Sequence, residues 1–283
     1  MSEVNIRYFV VLDFKPTYQK IPEIIEWTAM FIDTQTRKIN KSIFHHYIKP
    51  RINPILNNFC KNTTGITQNK VNKGMDISDV VKLWNKYCIE NRLVIKRPNK
   101  NIPNSCIVTL GDWFLKSMWP QQKCIDFDNL SNPILLNNWI NLRNIYNTYY
   151  NRTNNKRDNM ISILEYFDIP YKGTLGNVND VAHVCKIVAY MLNDKSRYIK
   201  WDFTFYNYFP KNMRKAVESA IRQKRNNQRS NPRSNPRNNP RNNQRRNNTN
   251  NNRRYNNNNS YNNNYNNNYN NNYNRNRNRN QMY

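Results

Sequence analysis

The sequence contains no apolar run approaching the roughly 18 residues needed to cross a bilayer, and its opening residues, MSEVNIRYF, are charged and too poor in apolar side chains for a secretory leader. Neither a membrane partner nor export is expected. The five cysteines, Cys60, Cys88, Cys106, Cys124 and Cys185, are odd in number and scattered, and no pair has metal-ligand spacing. This excludes a zinc module and a disulfide framework, and points to buried thiols in a reducing, intracellular compartment, cytoplasmic or nuclear. From residue 221 to 283 there is no Asp or Glu against 14 Lys and Arg, which leaves 31 basic and 18 acidic residues in the remainder. Both parts are basic, so an anionic partner such as nucleic acid is the default expectation. The alternative is a coding bias that raises Lys, Asn, Ile and Tyr everywhere and gives charge without purpose.

What is present is organised around FVVLDFKPT, residues 9–17. Phe9, Val10, Val11 and Leu12 run straight into Asp13. A continuous β-branched and aromatic run of this kind reads as a strand buried on both faces. It ends on a carboxylate, where strands of an α/β sheet open towards a ligand crevice. The alternative is a solvated Asp at a strand end.

Residues 23–34 and 42–50 read as second and third strands joined by the polar link TQTRKINK, so the first three strands form an antiparallel meander. Asn53-Pro54 is expected to start a short helix through Phe59 and Cys60, and Gly65 in TTGITQ is the expected positive-φ residue. Residues 76–90 form an amphipathic helix with Val80, Val81, Leu83, Trp84 and Tyr87 on its apolar side. SCIVTLG, residues 105–111, is another buried strand, followed at once by a helix that Asp112 caps. Residues 132–150 read mostly as helix, with an extended piece around 139–143. Residues 160–167 and 180–192 are the last helices, the latter burying Val181, Val184, Cys185, Ile187, Val188 and Met191. A meander followed by alternating strands and helices gives a mixed-sheet α/β domain.

FVVLDF, EIIEW, FHHYIKP, FCKNTTGITQ, GDWFLKSMWPQQ and WINLRN occur in order between about residues 8 and 192. Together they resemble the Eri-type branch of the DEDDh 3′–5′ exonuclease family. The resemblance implies an RNase H-like mixed sheet flanked by helices and an ancestral two-metal hydrolysis of RNA or DNA from the 3′ end. That chemistry needs a cluster of oxygen ligands for Mg²⁺ or Mn²⁺ and a histidine base for the attacking water. The family supplies them as Asp-x-Glu on the first strand, an Asp at the start of a middle helix and a His-x4-Asp segment near the last helix.

Carried over residue by residue, the pattern keeps Asp13 alone as a vestigial catalytic position. Lys15 stands where the Glu belongs, and Phe114 where the Asp follows Trp. In YKGTLGNVNDVAHV, Gly176 occupies the His position and Val181 the Asp position. Asp180 falls one residue early, and His183 falls on the following helix turn. Lys15 reads as a built-in cation beside Asp13, taking some of the space and charge of a lost metal; the alternative is a lysine that reaches solvent with no role. His45 and His46 are expected to pack, and Glu23 and Glu26 to be structural. Trp113 lies near the old cleft, where it could meet a base.

Residues 1–210 are expected to form the exonuclease-like domain, 211–225 a basic helical linker and 226–283 a disordered low-complexity tail. The tail repeats NPR at Asn231, Asn235 and Asn239, and places Tyr261, Tyr265, Tyr269 and Tyr273 four residues apart. Arg253 and Arg254 can neutralise phosphates, and Tyr265 and Tyr269 can stack on unpaired bases; Arg–Tyr–Asn composition also favours self-association. The expectation is a pseudo-exonuclease that needs no cofactor and binds nucleic acid, foremost single-stranded RNA, through Lys15, Trp113 and the tail. One alternative is an active Mg²⁺- or Mn²⁺-dependent exonuclease with displaced ligands drawn from Glu23, Asp112 and Asp180. Another is a protein-interaction scaffold.

Overall fold

The computed structural model describes residues 6–98, 101–126, 130–131, 133–151, 158–171, 178–202 and 204–205, and, beyond these, residues 215, 217–219, 221–223 and 226. Gly176 and the tail residues Arg253, Arg254, Tyr265 and Tyr269 lie outside the described residues.

The first strand, β1 (Tyr8–Pro16), is followed by β2 (Ile24–Asp33) and β3 (Phe44–Tyr47), and the three form the expected antiparallel meander. Helices α1 (Asn58–Thr64), α2 (Gln68–Asn72) and α3 (Ile77–Glu90) come next. A two-stranded ribbon, β4 (Val94–Lys96) and β5 (Asn101–Pro103), leads into β6 (Ser105–Thr109). A π-helical turn, Phe114–Met118, runs into α4 (Trp119–Ile125). Then follow β7 (Asn138–Asn141), α5 (Leu142–Tyr149), α6 (Met160–Tyr166), α7 (Val178–Asn193) and β8 (Thr204–Phe205). The main sheet has the order β3-β2-β1-β6-β7-β8, with β1, β6 and β7 parallel. It is the expected RNase H-like mixed sheet flanked by helices. The carboxyl ends of the three parallel strands open on one side, and β1 carries Asp13 there.

Period-2 alternation explains why β1 is apolar throughout. Val10, Leu12 and Phe14 face a core closed by α3 and the 114–125 helical segment, while Phe9 and Val11 face a second core closed by α5, α6 and α7. Trp27 of β2 centres the first core, with ring centroids 5.0 Å from Phe14, 5.1 Å from Trp84 and 5.7 Å from Trp119. Each large side chain withdrawn from water in this way contributes about 1.5–3 kcal/mol. In α7, Val181, Val184, Cys185, Ile187, Val188 and Met191 form the buried stripe.

Three local expectations are corrected. The helix after β3 starts at Asn58, not at Asn53-Pro54. The Asn57 side chain caps it by accepting from Cys60 N, whereas Asn53 is tied down by Glu23 and the Ile21 carbonyl. The extended piece expected around 139–143 within residues 132–150 is present but lies at 138–141, because β7 pairs with β6 before the Asn141 side chain caps α5 through Asn144 N. The Asp112 side chain does not cap the following helix; its Oδ1 accepts from Trp139 Nε1 at 2.9 Å. Gly65 does end α1 at φ 69°. Among the described residues, no helix is long and apolar enough to cross a membrane.

Candidate functional site

Asp13 and Lys15, two apart on β1, point to the same face of the sheet. In register, Asp13 lies opposite Thr28 and Lys15 opposite Glu26, so all four share that face. The strand bulges between Lys15 and Pro16, a distortion that ends regular pairing beside the site. From across the crevice, α7 brings Asp180 in its first turn. Lys15 Nζ donates to both carboxylates, 2.8 Å from Asp13 Oδ2 and 2.7 Å from Asp180 Oδ2. The three side chains are only 12–17% exposed.

Electrostatics follow from that burial. Loss of solvent raises the Asp13 carboxyl to about 6; Lys15 opposes the rise, and the charges of Asp180 and Glu26 add to it. Burial alone would lower the Lys15 ammonium, but the two carboxylates outweigh it and hold it well above its ordinary value. Lys15 is therefore a charged ammonium fixed between two acids at neutral pH.

A second pair adjoins the first. Glu26, 1% exposed, has its Oε1 2.7 Å from His45 Nε2 on β3. The expectation that His45 merely packs is thus corrected: its ring does lie against Tyr47, but its nitrogen meets a buried carboxylate. His46 does pack, against Phe44, and burial lowers its pKa. Between Asp13 and His45 on the same sheet face, the buried Thr28 hydroxyl has no hydrogen-bond partner among the described residues.

The remaining candidates separate. Phe114 opens the π-helical turn and sets its ring edge-on to Phe14 at 6.1 Å, in the α3-side core. Trp113 packs beside it at 5.6 Å and stays partly exposed. Val181 is fully buried in the α7 core. His183 has Nδ1 2.6 Å from the Asn179 carbonyl and stacks on Tyr171. Glu23 is structural, as expected: its carboxylate accepts the backbone N–H groups of Arg51, Ile52 and Asn53. Of the three acids weighed as displaced ligands, Glu23 and Asp112 are held elsewhere, and Asp180 shares Lys15 with Asp13.

This donor set does not fit a pair of hydrated divalent cations. Mg²⁺ requires oxygen ligands at about 2.0–2.1 Å in near-octahedral array. Here the Asp13 and Asp180 carboxylates both aim at one ammonium, Glu26 meets the His45 ring, and Phe114 offers no oxygen. Among the described residues, no three His, Cys, Asp or Glu side chains gather as a metal site.

The architecture is that of an RNase H-like exonuclease, and the comparisons agree. Residues 10–188 match the RNase T family described as Exonuclease. ERI1 exoribonuclease 2 of Mus musculus is 30% identical over 158 residues, 51% of this chain and 23% of that protein. ERI1 exoribonuclease 3 of Homo sapiens is 31% identical over 190 residues, 65% of this chain and 54% of that protein. The solved nuclease domain of 3′hExo, described as a DEDDh family member bound to rAMP, superposes with a TM-score of 0.58 at 25% identity, covering 69% of this chain and 96% of that one. The chain belongs to the RNase T exonuclease family, and the relatives and the solved structure it resembles are Eri-type and DEDDh exonucleases. It spans between a quarter and about half of the length of these curated relatives.

Proposed function

We propose that the chain is an RNA-binding member of this family that has lost two-metal hydrolysis. The observation that carries the reading is the Lys15 ammonium held 2.7–2.8 Å from Asp180 and Asp13. A unit charge at about 4 Å interacts by roughly 4 kcal/mol at an effective dielectric of 20. A divalent ion entering beside Lys15 would meet repulsion of that order for each of its charges and would have to displace the lysine from both carboxylates. Phe114 at the middle-helix position, with Val181 and Gly176 in the last segment, removes further ligands.

RNA is favoured over other anions by the names of the relatives, which are exoribonucleases, and by the ribonucleotide bound in 3′hExo. Trp113 and the exposed Phe59, edge-on to Tyr18 near the end of β1, offer faces for bases. In this reading Lys15 holds the cleft against metal and does not itself meet a phosphate, since its ammonium already serves two acids. Arg253, Arg254, Tyr265 and Tyr269 in the 226–283 tail add phosphate neutralisation and stacking, single strands are preferred, and the tail also self-associates. The domain ends near residue 210 and a basic linker runs to 225. An intracellular compartment fits the five buried cysteines, which form no disulfide among the described residues.

Filter binding of a labelled single-stranded RNA by the full chain, with chelator and then with Mg²⁺, tests the reading. Equal, salt-sensitive binding under both conditions is expected. Binding that requires Mg²⁺, or no binding to RNA at all, would overturn it and leave the exonuclease or the protein scaffold respectively.

A further inference from the structure

The cleft floor carries Asp13, Asp180 and Glu26 against Lys15, so it does not itself draw in phosphates. Positive charge gathers beside it. Between Asp33 and Asp76 the sequence has no acidic residue and eight Lys and Arg. This segment builds β3, α1 and α2. Leu56, Cys60, Ile66 and Val71 pack around Ile25 of β2, and the Cys60 thiol reaches the Pro16 carbonyl. Both helices therefore flank the carboxyl end of β1.

Four lysines stand on that edge: Lys49 after β3, Lys61 on α1, Lys70 on α2 and Lys73 at the end of α2. Gly74 brings two of them together. A Cβ at Gly74 would lie 2.9 Å from Lys49 N, so only glycine lets the chain after Lys73 pass this close to Lys49. The approach is locked by the Lys49 N–H bonded to the Met75 carbonyl and the Met75 N–H bonded to the Tyr47 carbonyl. Lys70 Nζ lies 5.1 Å from the centre of the Tyr47 ring. Among the described residues, none of these four ammonium groups is ion-paired to a carboxylate. Nearby Arg51 is neutralised by Asp126 at 2.6 Å, and Asp76 and Asp126 line a recess together with Lys49.

We propose that this edge, defined by Lys49, Lys61, Lys70 and Lys73, is a docking surface for the phosphodiester backbone of RNA, separate from both the cleft floor and the tail. Unpaired like charges on one edge repel each other and are relieved by a polyanion. The ring of Tyr47 restrains the Lys70 ammonium at this edge. The inference rests on the RNA-binding reading and specifies where the folded domain makes its contacts.

The test uses the full chain with all four lysines changed to Glu, and a control with Lys82, Lys86, Lys96 and Lys195 changed to Glu. Both carry the same net charge, and urea unfolding checks that both fold. For a single-stranded RNA, the edge variant is expected to lose at least about 10-fold in affinity and to lower the log–log salt slope by roughly 3, as four lost phosphate contacts imply. The control is expected to change affinity by less than about 3-fold. A set of Lys→Gln changes at the same edge positions, with a smaller loss in the same direction, serves if the reversals unfold the chain. Equal losses in edge and control variants, or no loss in either, would overturn the docking surface while leaving RNA binding intact. Absence of RNA binding by the unaltered chain would instead remove the functional reading on which it rests. An edge variant that loses affinity only for vesicles of anionic phospholipid would assign the surface to a membrane and also overturn the proposal.

Discussion

Lys15 Nζ lies 2.7 Å from Asp180 Oδ2, joining the first strand to the last long helix across 165 positions of sequence. The same nitrogen holds Asp13 on its own strand. One ammonium thus fixes α7 over β1. Removing it strands two poorly solvated carboxylates. Lys15→Met is expected to destabilise the fold towards the lower end of the roughly 3–5 kcal/mol found when one partner of a buried ion pair is deleted, because the cluster keeps some water access. Adding Asp180→Asn should recover part of that loss. Urea unfolding of the single and double variants reads both effects.

The pH dependence has a definite sign. The Asp13 carboxyl stands at about 6 in the fold against an ordinary 3.8. The folded chain therefore keeps this proton longer than the unfolded chain does. The group's contribution to stability is full below about pH 4 and is lost as the pH rises to about 6, a change on the order of 3 kcal/mol at most. Asp13→Asn should lack this fall. The stability difference between wild type and variant, followed by urea unfolding across pH 4–6.5, should shift steadily against the wild type; a constant difference would place Asp13 at an ordinary pKa.

Reversing the charge at the centre of the cluster should change its taste for ions. Lys15→Glu places a third carboxylate beside Asp13 and Asp180. The unaltered chain is expected to show no change of melting temperature with Mn²⁺, and the variant a rise of a few degrees, since a ligand bound only by the folded state stabilises it. A rise of equal size in the unaltered chain would mean that Lys15 yields its place.

Glu23 has a different task. Its carboxylate accepts three successive backbone N–H groups at residues 51–53. Burial raises its pKa while these bonds oppose the rise. Glu23→Ala leaves those donors without their acceptor and should cost about 2–4 kcal/mol, with each buried orphan worth about 1–3 and some recovered by water. Hydrogen exchange at Ile52 and Asn53 should accelerate far more than exchange in β1.

These roles were not equally legible in the sequence. The strand that carries Asp13, read as a continuous apolar run, and the periodic stripe of α7 were legible, because each needs only its own neighbours to reveal what is buried, although β1 continues past Asp13 to Pro16. The placement of Lys15 beside Asp13 also follows from period-2 alternation. The partner Asp180 does not: its approach depends on how α7 crosses the sheet. Likewise, His45 meets Glu26 only because β2 and β3 pair in one register, and a histidine next to another on an edge strand gives no local sign of that. Asp112 looked like a helix cap because it precedes the helix, yet the Trp139 indole, 27 residues away, takes its carboxylate. In β7, the extended piece read around 139–143 is fixed at 138–141 by pairing with β6. Long-range partners decide these cases, and local pattern cannot display them.

The most direct measurement is the fate of a 3′-end-labelled single-stranded RNA incubated with the full chain in Mg²⁺ and then Mn²⁺, with Asp13→Ala as control and binding followed on the same samples. The account predicts bound RNA whose length does not change in either metal. Stepwise metal-dependent shortening that disappears in Asp13→Ala would contradict it, and would show that Lys15 leaves Asp13 and Asp180 free to hold catalytic ions.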